Sequence, residues 1–216
     1  MCRPTPKKIL TKCLPIIILF FTVLRILAAL RIPYMILADQ RYDDRMLFEN
    51  AYDLLSGVWL GSYDAYTLAK GIGYPVFLVL AKKLCLPYSM LLALLQAVGS
   101  WLFVRALSVR WKNPYGQTLL YLLLLFSPIS LTQLVTQRLY RMAIVPGMVL
   151  VVFSGMIGLT LRKELPLKKQ LPWAVLTGVA LAFFWQIRED SVWILPFIAV
   201  MTAVSYTHLT LPTKLE

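Results

Sequence analysis

The chain has 216 residues, of which 59% are hydrophobic and 15% charged, with a mean hydropathy of +0.71. That leaves too little polar surface to cover a water-soluble globule, so lipid must solvate it. The net charge of +12 sits in short clusters between apolar runs rather than in a continuous stripe, which points to membrane topology and excludes nucleic acid as a partner.

The first apolar run, Ile9 to Leu30, follows Met1-Cys2-Arg3-Pro4-Thr5-Pro6-Lys7-Lys8. It is longer than a signal-peptide core and lacks a small-residue cleavage site, so it reads as an uncleaved first span. Cys2, Cys13 and Cys85 show no CxxC or CxxH spacing and are odd in number. Neither a disulfide framework nor a zinc site is supported, and they read as apolar filler. Arg25, inside this run, is expected to snorkel outward or to pair with an acidic residue of the following loop.

Further spans are expected at Met90 to Val104, Thr118 to Val135, Ala143 to Leu161 and Pro172 to Ile187, with another starting at Val192. Apolar runs recurring in this way predict an all-α, polytopic transmembrane helical bundle. The basic segments Arg105 to Lys112 and Arg162 to Lys169 belong on the cytoplasmic side together with the N-terminus. This requires Gly73 to Leu84 not to cross. Its short apolar core, Tyr74 to Ala81, is closed by Lys82-Lys83 and has about half the length a spanning helix needs, so it reads as interfacial or re-entrant. Outside then lie the loop 38–87, the turn Gln137 to Arg141 and Arg188-Glu189-Asp190. Almost every acidic residue falls on that face, a separation that a rule counting Lys and Arg does not impose.

In the external loop, Leu47, Ala51, Leu54 and Leu55 recur at helical spacing within Met46 to Ser56 and Gly57 closes the segment, predicting an amphipathic helix on the membrane surface. Asp43 or Asp44 is placed to cap it. Capping needs one carboxylate, and the other is free to act as a general base on an acceptor hydroxyl. Farther on, Lys70 stands before Gly71-Ile72-Gly73-Tyr74-Pro75, where the glycines and the proline predict an irregular turn ahead of the short helix. A lysine there meets either lipid headgroups or the phosphate of a lipid-linked donor.

The ordered set Asp43-Asp44, Leu54-Leu55-Ser56-Gly57, Lys70-Gly71-Ile72-Gly73-Tyr74-Pro75 and Ser127-Pro128 resembles the GT-C superfamily of membrane glycosyltransferases, which includes the protein O-mannosyltransferases and the aminoarabinose transferase of lipid A. The resemblance covers most of the chain up to Ala203. It implies transfer of a sugar from a polyprenyl-phosphate donor on the extracytoplasmic side of a bacterial cell membrane. It implies further that Asp44 or Asp43 is the catalytic base and that Lys70 contacts donor phosphate, with Tyr74 at the periphery of the site.

Where many relatives carry an acidic residue, this chain has Gln137-Arg138-Leu139-Tyr140-Arg141. Arg138 and Arg141 suit a phosphate better than a metal, so neither a metal site nor a cofactor is expected. The expected partners are membrane lipids, the polyprenyl-phosphate sugar and an acceptor. Arg188-Glu189-Asp190, followed by Trp193, is either a self-neutralising interfacial cluster with an aromatic anchor or part of the active-site periphery. A transporter or flippase of lipid-linked sugars is the competing reading. It predicts charge near the bilayer midplane and broken helices, whereas charge here collects at one face. A noncatalytic membrane protein is the third, and leaves the acidic loop without a purpose.

Residues 204–213, Val204-Ser205-Tyr206-Thr207-His208-Leu209-Thr210-Leu211-Pro212-Thr213, resemble the translation of a transposon-end sequencing adapter. Residues 1–203 are therefore expected to be the N-terminal part of a longer transmembrane domain, inactive alone, and 204–216 an adapter-derived tail.

Overall fold

The computed structural model describes residues 6–35, 44–59, 61, 69–132, 137–188 and 190–210, with only the backbone described for 6–12 and 204–210. Among these residues every regular element is helical. In chain order they are α1 (Pro6–Leu30), α2 (Met46–Leu55), α3 (Gly73–Lys83), α4 (Tyr88–Leu107), α5 (Pro114–Leu125), α6 (Val145–Thr160), α7 (Leu167–Trp185) and α8 (Leu195–Thr210). Short 3-10 turns at Pro128–Leu131, Arg141–Ala143 and Ser191–Ile194 join them. Three stretches are long and apolar enough to cross a membrane, Cys13–Leu30, Tyr88–Leu107 and Pro114–Leu131, while Val145–Thr160 and Ser191–Ala203 are shorter apolar helices.

The expected span Thr118 to Val135 overlaps the apolar stretch Pro114–Leu131, and its last residues lie outside the described ones. Its helix starts earlier, where Pro114 occupies the first turn and the Asn113 side chain accepts hydrogen bonds from the Tyr115 and Gly116 amides, and it ends at Leu125. Pro128 has no N–H to offer the ladder and disfavours helical backbone at Ser127, so the chain leaves the helix and tightens into the 3-10 turn. The segment expected from Pro172 likewise begins at Leu167, with Pro172 inside the helix, and the one expected from Val192 opens with the turn Ser191–Ile194.

Residue contacts set the helix directions. Gly147 lies beside Leu95, Ser154 donates to the Gly99 carbonyl at 3.5 Å, and Arg162 donates to the Ala106 carbonyl at 3.1 Å. α4 and α6 therefore run in the same direction, with α5 returning between them. They approach closely because a Cβ on Gly99 would lie 2.9 Å from the Gly147 carbonyl oxygen; small residues at such crossings allow backbone-to-backbone packing in lipid. One end of the structure, the loop end, collects the finishes of α1, α5 and α7 and the starts of α4, α6 and α8. The opposite, basic end holds Arg105 and Arg162. There Arg162, 7% exposed, donates to the carbonyls of Gly158, Arg105 and Ala106 and stacks on Trp173 at 4.3 Å. It thereby satisfies helix-terminal acceptors of both α4 and α6.

α3 enters and leaves at the loop end. Tyr74 in its first turn shares a 2.8 Å hydrogen bond with Tyr88, which opens α4, and the reversal between them passes through Cys85 at φ +53°. Its 11 residues reach about 16 Å, half the hydrocarbon thickness. Cys85 is exposed at this turn, and Cys13 is half-buried. α2 packs on α3 through buried Leu47 and Ala51. Phe48, Tyr52 and Leu55 recur on its outer face and are exposed, as is Trp59 beyond its end. Gly57, at φ +78°, lets the Val58 amide turn back to the Asp53 carbonyl and end the helix, a conformation that costs other residues a left-handed backbone. The main core, with Leu47, Tyr74, Phe77, Tyr88, Leu139, Ile144, Phe184 and Ile187 among its members, lies under these loop-end elements.

Candidate functional site

Asp44 does not cap α2. The residue in the capping position is Arg45, with helical backbone and no side-chain cap; it forms a 2.7 Å surface pair with Glu49 one turn on. Asp44, 1% exposed, is instead gripped by Arg138: Nε donates to Oδ1 at 3.1 Å and to Oδ2 at 2.9 Å, and Nη2 to Oδ1 at 2.7 Å. Both carboxylate oxygens are engaged by one planar guanidinium, the geometry in which an arginine–carboxylate pair is strongest. Asp43 lies outside the described residues.

Backbone pairing brings Arg138 to this point. The Met35 amide donates to the Gln137 carbonyl at 2.7 Å and the Leu139 amide to the Met35 carbonyl at 3.0 Å, an isolated parallel bridge between the exit of α1 and the segment before α6. In this stretch Leu139 is buried in the core, Tyr140 packs against it, and the Arg138 guanidinium lies over the Tyr140 ring. The Tyr140 ring is where the cations meet. Arg138 lies 4.3 Å from its centre, Lys70 and Arg141 each 5.6 Å, and Arg141 Nε also donates to the Tyr140 hydroxyl at 3.2 Å. The cations expected to hold donor phosphate are thus gathered from two separate segments. The electron-rich face of Tyr140 attracts all three cations, and the Asp44 carboxylate balances the charge of Arg138.

Lys70 is held by the backbone that follows it. The Gly73 amide donates to the Gln186 carbonyl at 2.8 Å, and a Cβ on Gly71 would fall inside contact distance of the same oxygen. The glycines here serve close approach to the end of α7 rather than a left-handed turn. Gly71→Ala is therefore expected to push the Lys70 segment off α7 and to lower stability by about 1–3 kcal/mol, read as a lower unfolding midpoint in detergent with helix content retained; an unchanged midpoint would contradict the close packing.

Tyr74 is fully buried. Burial holds its hydroxyl well above the ordinary phenol range, and Tyr88 and the Asp44 carboxylate add to that shift. Arg188 pairs with Asp190 through both of its oxygens and reaches Met142 Sδ at 2.8 Å. Trp193 stacks edge-on to Phe184 and Phe197, at 5.9 and 6.2 Å. This is the arrangement of a self-neutralising pair beside an aromatic anchor, and Met142 joins it to the Arg141 turn. Glu189 lies outside the described residues.

Arg25 neither snorkels nor meets a carboxylate among the described residues. It is 5% exposed in the interior and donates from Nη2 to the Ser130 carbonyl at 3.3 Å. Sequence reasoning missed Tyr140; the signal was its position two residues after Arg138 and directly before Arg141. No family model matches the chain, and neither the curated proteins nor the solved structures yield a significant similarity to it.

Proposed function

We propose that this chain is part of a polytopic membrane glycosyltransferase of the GT-C kind, which transfers a sugar from a polyprenyl-phosphate donor to an acceptor on the extracytoplasmic side of a bacterial cell membrane. The observation that carries this reading is the convergence of Lys70, Arg138 and Arg141 on Tyr140 directly beside the buried carboxylate of Asp44. Guanidinium and ammonium groups gathered in one place suit a phosphate, and a carboxylate next to the phosphate is where an acceptor hydroxyl needs a base. Alternating helix directions, with Arg105 and Arg162 at the end opposite the site, suit an N-terminus and basic turns on the cytoplasmic side. The exposed outer face of α2 suits a helix resting in the interface.

The step is an inverting substitution. Donor phosphate engages Lys70, Arg141 and Arg138; Arg138 turns toward it and releases Asp44. The acceptor oxygen attacks the anomeric carbon and its proton passes to Asp44. The bond from the anomeric carbon to the phosphate oxygen breaks, and the polyprenyl phosphate departs with the electron pair, its charge met by the cations.

Transfer of labelled sugar from polyprenyl-phosphate donors in membranes carrying the protein tests the proposal, with Lys70→Ala at matched expression beside the wild type. Lys70→Ala is expected to reduce transfer by about 100-fold, the scale of losing one transition-state charge contact. Wild-type membranes that move lipid-linked sugar between leaflets without transferring it would replace the transferase with a transporter.

A further inference from the structure

Below the Asp44 site, on the inner side of α1, lies a second cluster of buried polar groups that the proposed transfer does not use. Arg25, Ser89, Gln96 and Ser130 are 5%, 7%, 3% and 5% exposed, and all four line one cavity of about 20 Å³ between α1, the start of α4, the turn after α5 and the start of α6. Its remaining walls are apolar apart from backbone, with Ala29, Leu92 and Pro146 among them. Arg25 Nη2 is taken by the Ser130 carbonyl, whereas Arg25 Nε is fully buried and has no acceptor.

A guanidinium remains charged at any pH a protein experiences, so this one cannot escape its environment by losing a proton. Water can hydrate it but cannot neutralise it, and an uncompensated charge in a span is costly. The other groups set what can sit beside it. The Gln96 amide gives one N–H to the Leu124 carbonyl at 2.7 Å and keeps a second. The Ser130 hydroxyl is spent on the Ser127 carbonyl at 2.8 Å. Ser89 stands in the first turn of α4, and Pro146 and Gly147 in the first turn of α6, so the positive ends of two helix dipoles border the cavity. Donors and positive potential therefore surround a space with room for roughly one or two water-sized groups. That is the size of a halide and too small for a lipid phosphate with its ester oxygens.

We propose that Arg25, Ser89 and Gln96, with Ser130 anchoring the arginine, form a binding site for a small monovalent anion of chloride size between α1, α4 and α6. Bound there, the anion neutralises Arg25 and ties α1 to the turn Pro128–Leu131. This site does not depend on the transferase reading.

The test is the unfolding midpoint of the purified chain in a zwitterionic detergent at constant ionic strength, with chloride exchanged for gluconate. The expected result is a saturable rise of roughly 2–4 °C with chloride or bromide, abolished in Arg25→Leu and shifted to several-fold higher halide concentration in Ser89→Ala. Should Arg25→Leu fail to fold, chloride-35 NMR linewidths decide on the wild type and Ser89→Ala. Excess broadening in the wild type that bromide displaces, and that Ser89→Ala weakens, supports the site. A midpoint indifferent to halide, a halide response that survives in Arg25→Leu, or stabilisation by anionic lipid but not by halide would each overturn it.

Discussion

Arg138→Ala is expected to lower the stability of the chain by about 3–5 kcal/mol, the cost of leaving a buried charge without its partner. Asp44 is 1% exposed, and Arg138 occupies both of its oxygens, so the substitution breaks a buried ion pair from one side. The same change removes the cation closest to the Tyr140 ring, at 4.3 Å. The check is chemical unfolding in detergent. Arg138→Lys should recover only part of the loss, because an ammonium cannot hold both carboxylate oxygens in one plane. The double variant Arg138→Ala with Asp44→Asn should recover most of it, since the buried charge is then gone. A double variant as unstable as Arg138→Ala alone would assign the cost to lost packing around Tyr140 instead.

The second large effect is on transfer rather than stability. Asp44→Asn keeps the size and polarity of the side chain while abolishing its basicity, and is expected to reduce sugar transfer by about 10²–10⁴-fold. Its stability cost should be the smaller of the two single changes, because the Arg138 side chain it leaves behind is 22% exposed and remains partly hydrated. A base and a purely structural anion separate in the double variant. Restoring stability with Arg138→Ala and Asp44→Asn together should leave transfer abolished if Asp44 takes the proton. Wild-type transfer by Asp44→Asn at matched expression would remove Asp44 from that role and pass it to Asp43.

The outline of the fold was legible in the sequence because its signals are local. Apolar run length marked α1 and α4, the short run ended by Lys82-Lys83 marked α3 as a short helix, and helical spacing with Gly57 marked α2 within one residue of its observed end. Boundaries went astray where proline acts at close range: Pro128 ends α5 before the apolar composition does, whereas Pro172 sits early in α7 without ending it. Basic and acidic segments alternate along the chain, and in the structure the basic turns Arg105 and Arg162 lie at one end while Asp44, Lys70 and Arg138 lie at the other.

Sequence alone therefore determined a helical chain with runs long and apolar enough to cross a membrane, the approximate helices, and a shortlist of charged residues for the site, because each depends on residues within a turn or two of one another. Only the tertiary structure decided what those residues do. Pairing Met35 with Arg138 converts Asp44 from a helix cap into half of a buried ion pair, Tyr140 turns three dispersed cations into one cluster, and the start of α6 closes over Arg25 instead of letting it reach the surface. Those outcomes rest on contacts between segments 70 to 105 residues apart, set by how the helices pack, which no local pattern encodes.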